Sequence, residues 1–354
     1  VSETGKNVGD AHAEIIGALT ALDFYTRNAG KLLRPKKGNS WPFLTTRGWT
    51  EYPPIGVAGI ISPWNYPFYL PTLSSIQALS AGCTIVVKPS EITPMSGQLV
   101  EDLAIEAGLP DDVVQVIHGG GVTGSALVDA DTDIIAFTGS GEVGKVVAGQ
   151  AAKTLKPVLL ELGGKDAQIV LEDANLRDAA RAAITFGVFN AGQQCVGIER
   201  VYVVADAYDK FMEEAADAVG RITAATEDHR DIGPFISPEQ ADVVEAQLRA
   251  AVADGARLLA GGSKINTDHG VYFEPTLLDE VDHSMVLMQE ETFGPLIPVM
   301  RVANEDEAIE LANDSPYGLH GSVWTKNKKR GHRVASRMKT GTVAVNDHLI
   351  NFLY

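Results

Sequence analysis

The sequence predicts an α/β protein with a doubly wound parallel sheet, followed by a second α/β domain. With 354 residues, the chain is longer than one ordinary hydrophobic core accommodates, so two domains are expected. From residue 57 onward, short apolar runs alternate with helical patterns, which is typical of parallel βαβ units. The alternation restarts after Gly163 and Gly164, where glycines without a Cβ favour a hinge. We therefore expect domains at residues 1–162 and 163–354.

In the first domain the predicted strands and helices alternate in order. Strands are predicted at 57–61, 84–88, 113–117 and 134–137, with a further apolar strand ending at Glu161. Helices are predicted at 73–81, at 95–107 and from about residue 142, and Thr93 and Pro94 supply a helix start before the second of them. Residues 33–54 have little helical period and are predicted as an extended hairpin arm. An oligomer contact and a plain surface loop both remain open for this arm.

The second domain is predicted from the same kind of alternation. Strands are predicted at 167–171, 200–204, 298–302, 321–324 and 342–345. Helices are predicted at 176–189, 208–219 and 239–253. The sheet strands again follow helical segments, so parallel pairing is expected.

Charge and composition exclude several classes of function. The formal net charge of −17 disfavours a nucleic-acid partner, because phosphate binding needs a basic surface. The apolar runs are too short to cross a bilayer, and no export leader is visible, so a cytoplasmic protein is expected. Two cysteines cannot form a disulfide framework, which favours a reducing compartment. The eight histidines show no ligand spacing, so no metal is predicted.

Cys195 lies in Asn190-Ala-Gly-Gln-Gln-Cys195, directly after an Ala-rich helical pattern. A lone free cysteine is usually a small buried hydrophobe. Here Gly192 and the two glutamines after it make a polar, bendable break that is a poor place to bury a side chain. A turn there can expose the sulfur and direct backbone N–H groups toward it, which favours the nucleophilic thiolate. Cys83, between a helix and a strand, is instead predicted to pack in the core.

Two further side chains suit acyl chemistry, and the residues alone leave a plainer interpretation open for each. Glu161 ends a strand before two glycines; it is either a solvated carboxylate or a general base whose pKa is raised by apolar surroundings. Asn65 lies in Ser62-Pro-Trp-Asn-Tyr-Pro67, between prolines that stiffen the turn. Asparagine is common in turns, but a rigidly held amide is also a good oxyanion donor.

Three polar or glycine-rich segments follow predicted strands, at the edge where a doubly wound sheet binds its ligand. They are Lys88-Pro-Ser-Glu91, His118-Gly-Gly-Gly121 and Thr138-Gly-Ser-Gly141. Charged groups such as Lys88 and Glu91 can reach the ribose hydroxyls of a nucleotide there. The segment from Phe137 to Gly144 is not a G-x-G-x-x-G motif, yet its strand–glycine–helix context suits phosphate binding at a helix N-terminus.

Seven motifs together resemble the aldehyde dehydrogenase superfamily, in the family's order and over nearly the whole chain. They are Ser62-Pro-Trp-Asn-Tyr-Pro67, Lys88-Pro-Ser-Glu91, Phe137-Thr-Gly-Ser140, Glu161-Leu-Gly-Gly-Lys165, Gly192-Gln-Gln-Cys195, Glu290-Glu-Thr-Phe-Gly-Pro295 and Gly341-Thr-Val-Ala-Val-Asn346. The resemblance implies that family's two-domain fold and the NAD(P)-dependent oxidation of an aldehyde to a carboxylate. It also implies a longer full protein, truncated here at both ends, that forms a homodimer or homotetramer.

The resemblance assigns roles to residues by position. It implies that Cys195 is the nucleophile, Glu161 the general base, and Asn65 with the Cys195 backbone N–H the oxyanion hole. The cofactor contacts that it implies are Trp64, Lys88, Glu91, Gly119, Gly139, Ser140, Gly144, Leu162, Glu291 and Phe293. The substrate-pocket residues that it implies are Tyr66, Leu70, Gln194, Val196 and Phe352.

The reaction that the resemblance implies begins when the Cys195 thiolate attacks the aldehyde carbonyl. The thiohemiacetal passes a hydride to the nicotinamide and becomes a thioester, and water activated by Glu161 releases the acid. Glu91 favours NAD, because a carboxylate repels a 2′-phosphate, but Lys88 leaves NADP possible. The mostly apolar entrance suits an aliphatic or aromatic aldehyde. The sequence also resembles succinate-semialdehyde enzymes, although no basic partner for a carboxylate tail can be placed.

Three rival hypotheses remain. An acylating relative would pass the thioester to coenzyme A, although Glu161, a base for hydrolysis, speaks against it. A catalytically silent binding protein could use the same scaffold, and the intact Cys195, Glu161 and Asn65 argue against this. A thiol protease would need a histidine in a plausible context, and none is found.

Overall fold

The computed structural model describes residues 1–42, 45–224 and 231–348, and the chain divides into two compact units. The first unit is His12–Leu162, and the second is Val1–Ala11 with the described residues from Gly163 onward. The expected first domain, 1–162, was therefore wrong at its start. Residues 1–11 belong to the second unit, where the Asn7 side-chain amide donates to the Asp231 carbonyl at 3.0 Å. A contact between residues so distant in sequence leaves no local pattern.

The first unit begins within a long helix, at His12, and continues with a short hairpin. Helix α1 spans Val8–Leu32. Strands β1 (Lys36–Lys37) and β2 (Trp49–Thr50) pair antiparallel and are exposed. The segment expected to form a hairpin arm thus contains a minimal antiparallel pair, with residues 43–44 outside the described part.

A five-stranded, all-parallel sheet forms the centre of the first unit. Its strands are β3 (Val57–Ile61), β4 (Thr84–Lys88), β5 (Val114–Val116), β6 (Ile134–Thr138) and β7 (Val158–Glu161). The helices between them are α2 (Tyr69–Ser80), α3 (Pro94–Glu106), α4 (Gly121–Asp129) and α5 (Gly141–Ala151), with a 3₁₀ turn at Ala152–Thr154. The strand order is β5-β4-β3-β6-β7. The chain therefore runs outward from β3, returns to β6 beside it and continues to β7, which is the doubly wound arrangement that was expected.

Both faces of this sheet are covered, which explains its continuous apolar strands. On one face, Ile61 and Phe137 pack with residues of α4 and α5. On the other, Ile60 and Val87 pack with residues of α2 and α3. The strand order reverses between β3 and β6, and the carboxyl ends of these two strands are where such a sheet offers a ligand crevice.

The second unit contains a seven-stranded sheet and a separate hairpin. The sheet has the order β10-β13-β14-β9-β8-β15-β16, with only the β10–β13 pair antiparallel among its described strands. The strands are β8 (Asp166–Val170), β9 (Ile198–Val204), β10 (Arg257–Ala260), β11 (Lys264–Thr267), β12 (Gly270–Phe273), β13 (Thr276–Asp279), β14 (Leu296–Val302), β15 (Gly321–Trp324) and β16 (Ala344–Val345). Strands β11 and β12 form the hairpin.

Helices cover both faces of the second sheet as well. They are α6 (Leu176–Val188), α7 (Ala205–Val219), α8 (Pro238–Ala253), α9 (Val286–Gln289), α10 (Glu305–Asn313) and α11 (Lys328–Ala335), with a 3₁₀ segment at Phe189–Gly192. Alternate residues of β9 enter different apolar clusters, with Tyr202 on one face and Val201 and Val203 on the other. The second α/β domain expected from the sequence is thus present in the structure. Within the described residues, no helix combines the length and apolarity needed to span a membrane.

Candidate active site

The strand ends of the first unit carry the charged pair predicted to contact a nucleotide. Lys88 is the last residue of β4 and is buried, with only 4% of its surface exposed. Its Nζ donates to the carbonyls of Pro89 at 2.7 Å and Gly119 at 2.8 Å. The Glu91 carboxylate is exposed and lies 3.6 Å from this ammonium. Burial lowers the pKa of Lys88, and the charge of Glu91 opposes that effect.

The predicted phosphate segment forms the start of α5. Ser140 is the N-cap, and its Oγ accepts from the Val143 N–H at 3.4 Å. A Cβ on Gly144 would lie 2.6 Å from Leu162, and one on Gly139 would lie 2.6 Å from the Phe137 ring. The glycines therefore let the strand, the turn and the helix pack closely, and the first N–H groups of α5 face the carboxyl edge of the sheet.

The turn after β3 carries Asn65 and its neighbours. Ser62 N–H donates to the Lys88 carbonyl at 3.1 Å, which ties this turn to the end of β4. Asn65 is buried, with 3% exposed, while Trp64 and Tyr66 are half-buried. Leu70 is half-buried in the first turn of α2, with its N–H bound to the Tyr66 carbonyl. The compact turn predicted between two prolines is present.

Glu161 is the last residue of β7 and pairs with Thr138 of β6. The general-base hypothesis supposed apolar surroundings, but the structure leaves Glu161 exposed. Strand β7 lies at the edge of its sheet, and Leu159, 62% exposed, and Glu161 lie on the same, exposed face of this strand.

In the second unit, Cys195 follows an unusually tight turn. Asn190, Ala191 and Gly192 have successive φ values of +53°, +58° and +73°, and a Cβ on Gly192 would lie 2.2 Å from the Gly294 backbone. The Gln193 side chain fixes the turn, because its Nε2 donates to the Asn190 carbonyl and its Oε1 accepts from Ile236 N–H, both at 2.9 Å. Cys195 is half-buried, whereas Cys83 is buried.

The glycine pair after Glu161 lies against two other predicted site residues. A Cβ on Gly164 would lie 2.3 Å from the Cys195 carbonyl oxygen, and one on Gly163 would lie 2.4 Å from the Glu291 carboxylate. The Gly164 N–H donates to Glu291 Oε1 at 2.9 Å. Neither glycine has φ in the left-handed region. Glycine is required here by close approach, and not by the conformational freedom on which the hinge prediction relied.

The predicted substrate residues differ in how they are placed. Gln194 is only 2% exposed, and its Nε2 donates to the Phe186 carbonyl at 2.5 Å. Val196 is also buried, and its carbonyl bonds to the His348 ring at 2.8 Å. Both residues therefore lie inside the loop that carries Cys195 and hold it together. Phe352 lies outside the described residues.

Two buried side chains that the sequence analysis did not single out adjoin this site. Lys165, directly after the glycine pair, bonds to Glu199 of β9 at 2.6 Å. The Glu199 carboxylate also accepts from the backbone of the segment that carries Glu291 and Phe293. The sequence did offer one signal for this pair, because Lys165 and Glu199 are charged and each stands just before a predicted buried strand.

Comparison with known proteins decides the family. The model of the family described as "Aldehyde dehydrogenase family" matches residues 1–352. The chain belongs to the aldehyde dehydrogenase family. The fold agrees, since an aldehyde dehydrogenase of Mycobacterium tuberculosis complexed with NAD+ superposes with a TM-score of 0.92 at 36% identity, covering 98% of this chain and 72% of that one.

Other members of the aldehyde dehydrogenase family act on different aldehydes. The 4,4'-diapolycopene aldehyde oxidase of Methylomonas is 40% identical over 342 residues, and this chain spans 63% of its length. A succinate-semialdehyde dehydrogenase structure from Burkholderia pseudomallei has a TM-score of 0.93 and 36% identity, over 98% of this chain and 72% of that one. A Mycobacterium tuberculosis relative whose name specifies succinate semialdehyde and NADP+ is 39% identical over 352 residues, of which this chain covers 67%. These names differ in substrate and cofactor.

Proposed function

We propose that this chain forms the active site of an NAD(P)-dependent enzyme that oxidises an aldehyde to a carboxylate. The observation that carries the proposal is the packing at Gly163 and Gly164, where the Cys195 carbonyl and the Glu291 carboxylate both approach too closely for a side chain. Only Leu162 and Gly163 separate Glu161 from Gly164 in sequence. Membership of the aldehyde dehydrogenase family supports the same reaction class.

The residues at the carboxyl edge of the first sheet fit a dinucleotide. Lys88 and Glu91 would hold the adenosine ribose, and Gly119, Gly139, Ser140 and the start of α5 would hold the pyrophosphate. The chemistry of this donor set supports the assignment, because a buried ammonium, an exposed carboxylate and a capped helix N-terminus occur at one sheet edge. Trp64, Gly144, Leu162, Glu291 and Phe293 would complete the cofactor site. When bound, the nicotinamide supplies a hydride acceptor.

Three side chains of this protein would carry the covalent steps. The Cys195 thiolate attacks the aldehyde carbon, and the resulting oxyanion is stabilised by the Asn65 amide and the Cys195 backbone N–H. After oxidation the acyl group remains on Cys195 as a thioester. Glu161 then takes a proton from the water that attacks this thioester. An exposed carboxylate suits this role, because the hydrolytic water must reach it.

The substrate class is proposed more broadly than a single aldehyde. Tyr66 and Leu70 follow Asn65 closely in sequence, and both are half-buried. We propose that they form the wall of the substrate pocket. Their apolar surfaces favour an aliphatic or aromatic aldehyde. Gln194 and Val196 would act by shaping the loop, since both are buried. We propose NAD as the cofactor, with NADP also accepted, because Glu91 and Lys88 favour opposite choices.

The direct test is NADH or NADPH production from a panel of aliphatic, aromatic and carboxylate-bearing aldehydes. Each cofactor is supplied with and without coenzyme A. We expect coenzyme-independent turnover that Cys195→Ala abolishes while NADH still binds. Cys83→Ala is the matched control and should retain turnover, because Cys83 is a core residue of the other unit. Undiminished oxidation by Cys195→Ala would refute the assignment, and turnover that needs coenzyme A would indicate the acylating reaction instead.

A further inference from the structure

A buried ion pair lies beside the turn that carries Glu291 and Phe293. Lys165 Nζ is 2.6 Å from Glu199 Oε2, and the two side chains are 0% and 5% exposed. Burial lowers the pKa of Lys165, and the charge of Glu199 opposes that effect. Removing two charges from water is unfavourable enough that a buried pair is weak evidence for a purely stabilising role. The other contacts of Glu199 and Lys165 therefore indicate what role the pair has.

The Glu199 carboxylate fixes two successive peptide groups of this turn. Its Oε2 accepts from the Thr292 N–H at 2.7 Å, and its Oε1 accepts from the Phe293 N–H at 2.8 Å. Phe293 has a φ of +52°. A left-handed conformation is unfavourable for a side chain with a Cβ and persists only where the surroundings hold it. The two bonds from Glu199 hold the backbone in that conformation.

Other polar groups of the turn are held by buried or partly buried side chains. Lys165 Nζ lies 2.9 Å from Thr292 Oγ1, which in turn donates to Gln247 Oε1 at 2.7 Å. Gln247 Nε2 donates to the Glu291 carbonyl at 3.2 Å, and Gln240 Nε2 donates to the Thr292 carbonyl at 2.8 Å. The turn is thus part of one network that joins β9, α8 and the residue after the glycine pair.

We propose that Glu199 and Lys165 are positioning residues that set the Glu291–Phe293 turn in its cofactor-binding conformation. This inference rests on the proposed function, in which Glu291 and Phe293 help to complete the cofactor site. The pair acts through the backbone of the turn and not through contact with the cofactor. Removing the Glu199 charge releases two N–H groups and the constraint on Phe293, so the turn no longer presents Glu291 in one place.

The same pair tunes the charge of Glu291. The titratable groups that face Glu291 are Glu199, Lys165, Asp166 and Tyr317. Burial raises the pKa of Glu291 to about 7, the Glu199 charge adds to this effect, and the Gly164 N–H and Lys165 oppose it. Sugar hydroxyls donate to a carboxylate, so they favour its ionised form. Cofactor binding should therefore tighten as the pH rises through 7.

The test measures NADH binding by fluorescence from pH 6 to pH 8 in the full chain, without substrate. The wild type should bind about tenfold more weakly at pH 6 than at pH 8, following ionisation of one group near pH 7. Glu199→Gln should weaken binding at pH 8 by about tenfold, as expected for loss of charge-assisted hydrogen bonds. It should also move the midpoint to lower pH, because Glu199 raises the pKa of Glu291 more than Lys165 lowers it.

Asp279→Asn is the matched control, because Asp279 is also a buried carboxylate of the second unit. It pairs with Tyr208 and Arg257. This variant should melt at lower temperature and yet keep the wild-type affinity and pH profile. Thr292→Val retains the Glu199 carboxylate and removes only the hydroxyl that bridges Lys165 and Gln247. It is the second test of the positioning role and replaces Glu199→Gln if that variant does not fold. Loss of that bond should weaken NADH binding by about fivefold.

Each outcome separates this inference from the function on which it rests. A folded Glu199→Gln with wild-type affinity and midpoint overturns the positioning role and leaves the proposed function intact. A folded Thr292→Val that binds NADH with wild-type affinity likewise overturns the positioning role and leaves the proposed function intact. An equal loss in Asp279→Asn overturns it too, since any buried carboxylate would then have the same effect. A wild-type chain that binds no NADH contradicts the proposed function itself and removes the basis for this inference.

Discussion

Cys195 and Cys83 show how the local backbone determines whether a cysteine side chain is buried in the core or partly exposed. Cys83 is buried at the start of β4, where a thiol behaves as a small apolar group. Cys195 follows three residues with positive φ, two of which carry a Cβ. Such backbone is unfavourable by about 1 kcal/mol or more per residue. The Gln193 amide and the close packing on Gly294 hold it in place.

Asp166 is a second residue whose chemistry follows from burial. It lies at the start of β8, where its Oδ1 accepts from the His320 N–H at 3.1 Å. Its Oδ2 has no hydrogen-bond partner in the described part of the chain. Burial raises the pKa of Asp166 well above 3.8, and the His320 bond opposes this only in part. The folded protein therefore keeps this acid protonated to a higher pH than the unfolded chain does.

A buried acid of this kind predicts a pH dependence of stability. Because the pKa of Asp166 is higher in the folded than in the unfolded chain, its contribution is fully present below about pH 4 and is lost as the pH rises. The loss is about 1.4 kcal/mol per pH unit until the folded group ionises. Asp166→Asn stays neutral, so it should gain stability relative to the wild type between pH 5 and pH 7. Urea unfolding at both values measures the difference, and a difference that does not change with pH would contradict the assignment.

The local structure around several predicted site residues could be predicted from sequence, because it depends on residues close together in the chain. The turn at Asn65, the cap at Ser140 and the break before Cys195 depend on prolines, glycines and polar residues within a few positions. The Glu199–Lys165 pair could not be assigned a role in this way, since the peptide groups it binds lie 93 and 94 residues from Glu199. The sequence left open whether Glu161 is a solvated carboxylate or a base in apolar surroundings, because the residues of a strand do not show where that strand lies in its sheet.

At the scale of elements, the segment between β7 and β8 is a tightly constrained connection. It consists of Leu162, Gly163, Gly164 and Lys165. Gly163 touches the Glu291 carboxylate, Gly164 touches the Cys195 backbone, and Lys165 is paired with Glu199. Three residues in a row therefore determine how the Cys195 loop and the Glu291 turn pack.

Gly164→Ala should disturb this connection. The added Cβ would lie 2.3 Å from the Cys195 carbonyl oxygen and 2.8 Å from Asp166 Oδ1, so the backbone must shift. We expect the free energy of unfolding to fall by about 1–3 kcal/mol and kcat to fall by about a hundredfold, because small displacements of reacting groups are costly.

Gly149→Ala provides the control, since Gly149 is inside α5 with no atom within 4 Å of an added Cβ. It should stabilise the protein by about 0.5–1 kcal/mol. Chemical denaturation and steady-state rates give both quantities. Wild-type activity in Gly164→Ala would show that the close approach to Cys195 is unimportant.

The elements that sequence predicted best are the buried parallel strands. The predictions at 57–61, 84–88 and 321–324 match β3, β4 and β15 residue for residue. Helix α1 was missed because its large apolar residues, such as Ile16 and Leu19, are exposed, while Glu14 is buried. Glu14 instead accepts from the Phe68 and Tyr69 N–H groups at 3.0 Å and caps α2. Strands β10 to β13 were missed because each is only four residues long; β10 and β11 are also largely exposed, whereas β13 is buried.

For the whole molecule, the proposed chemistry draws on both compact units. Cys195, Glu291 and Phe293 belong to the second unit, and Asn65 and Glu161 belong to the first. The boundary expected after residue 162 coincides with the one between the units. Length alone could suggest two domains, but the assignment of residues 1–11 needed the contacts of Asn7 and Gly5 with the second unit.

The central claim is that Cys195 and Glu161 act on one acyl group. Glu161→Gln retains the shape of the side chain and cannot accept the proton of the hydrolytic water. With NAD+ and an aldehyde from the panel, this variant should release about one NADH per chain and then slow strongly, because the thioester is not hydrolysed. Adding Cys195→Ala to the same variant should remove the initial release.

Intact-protein and peptide mass spectrometry after this reaction is the most direct measurement. The account predicts that Glu161→Gln gains the mass of one acyl group, mapped to Cys195, while the wild type and the double variant show none. A slowed Glu161→Gln without an acyl adduct, or one that turns over at the wild-type rate, would contradict the account.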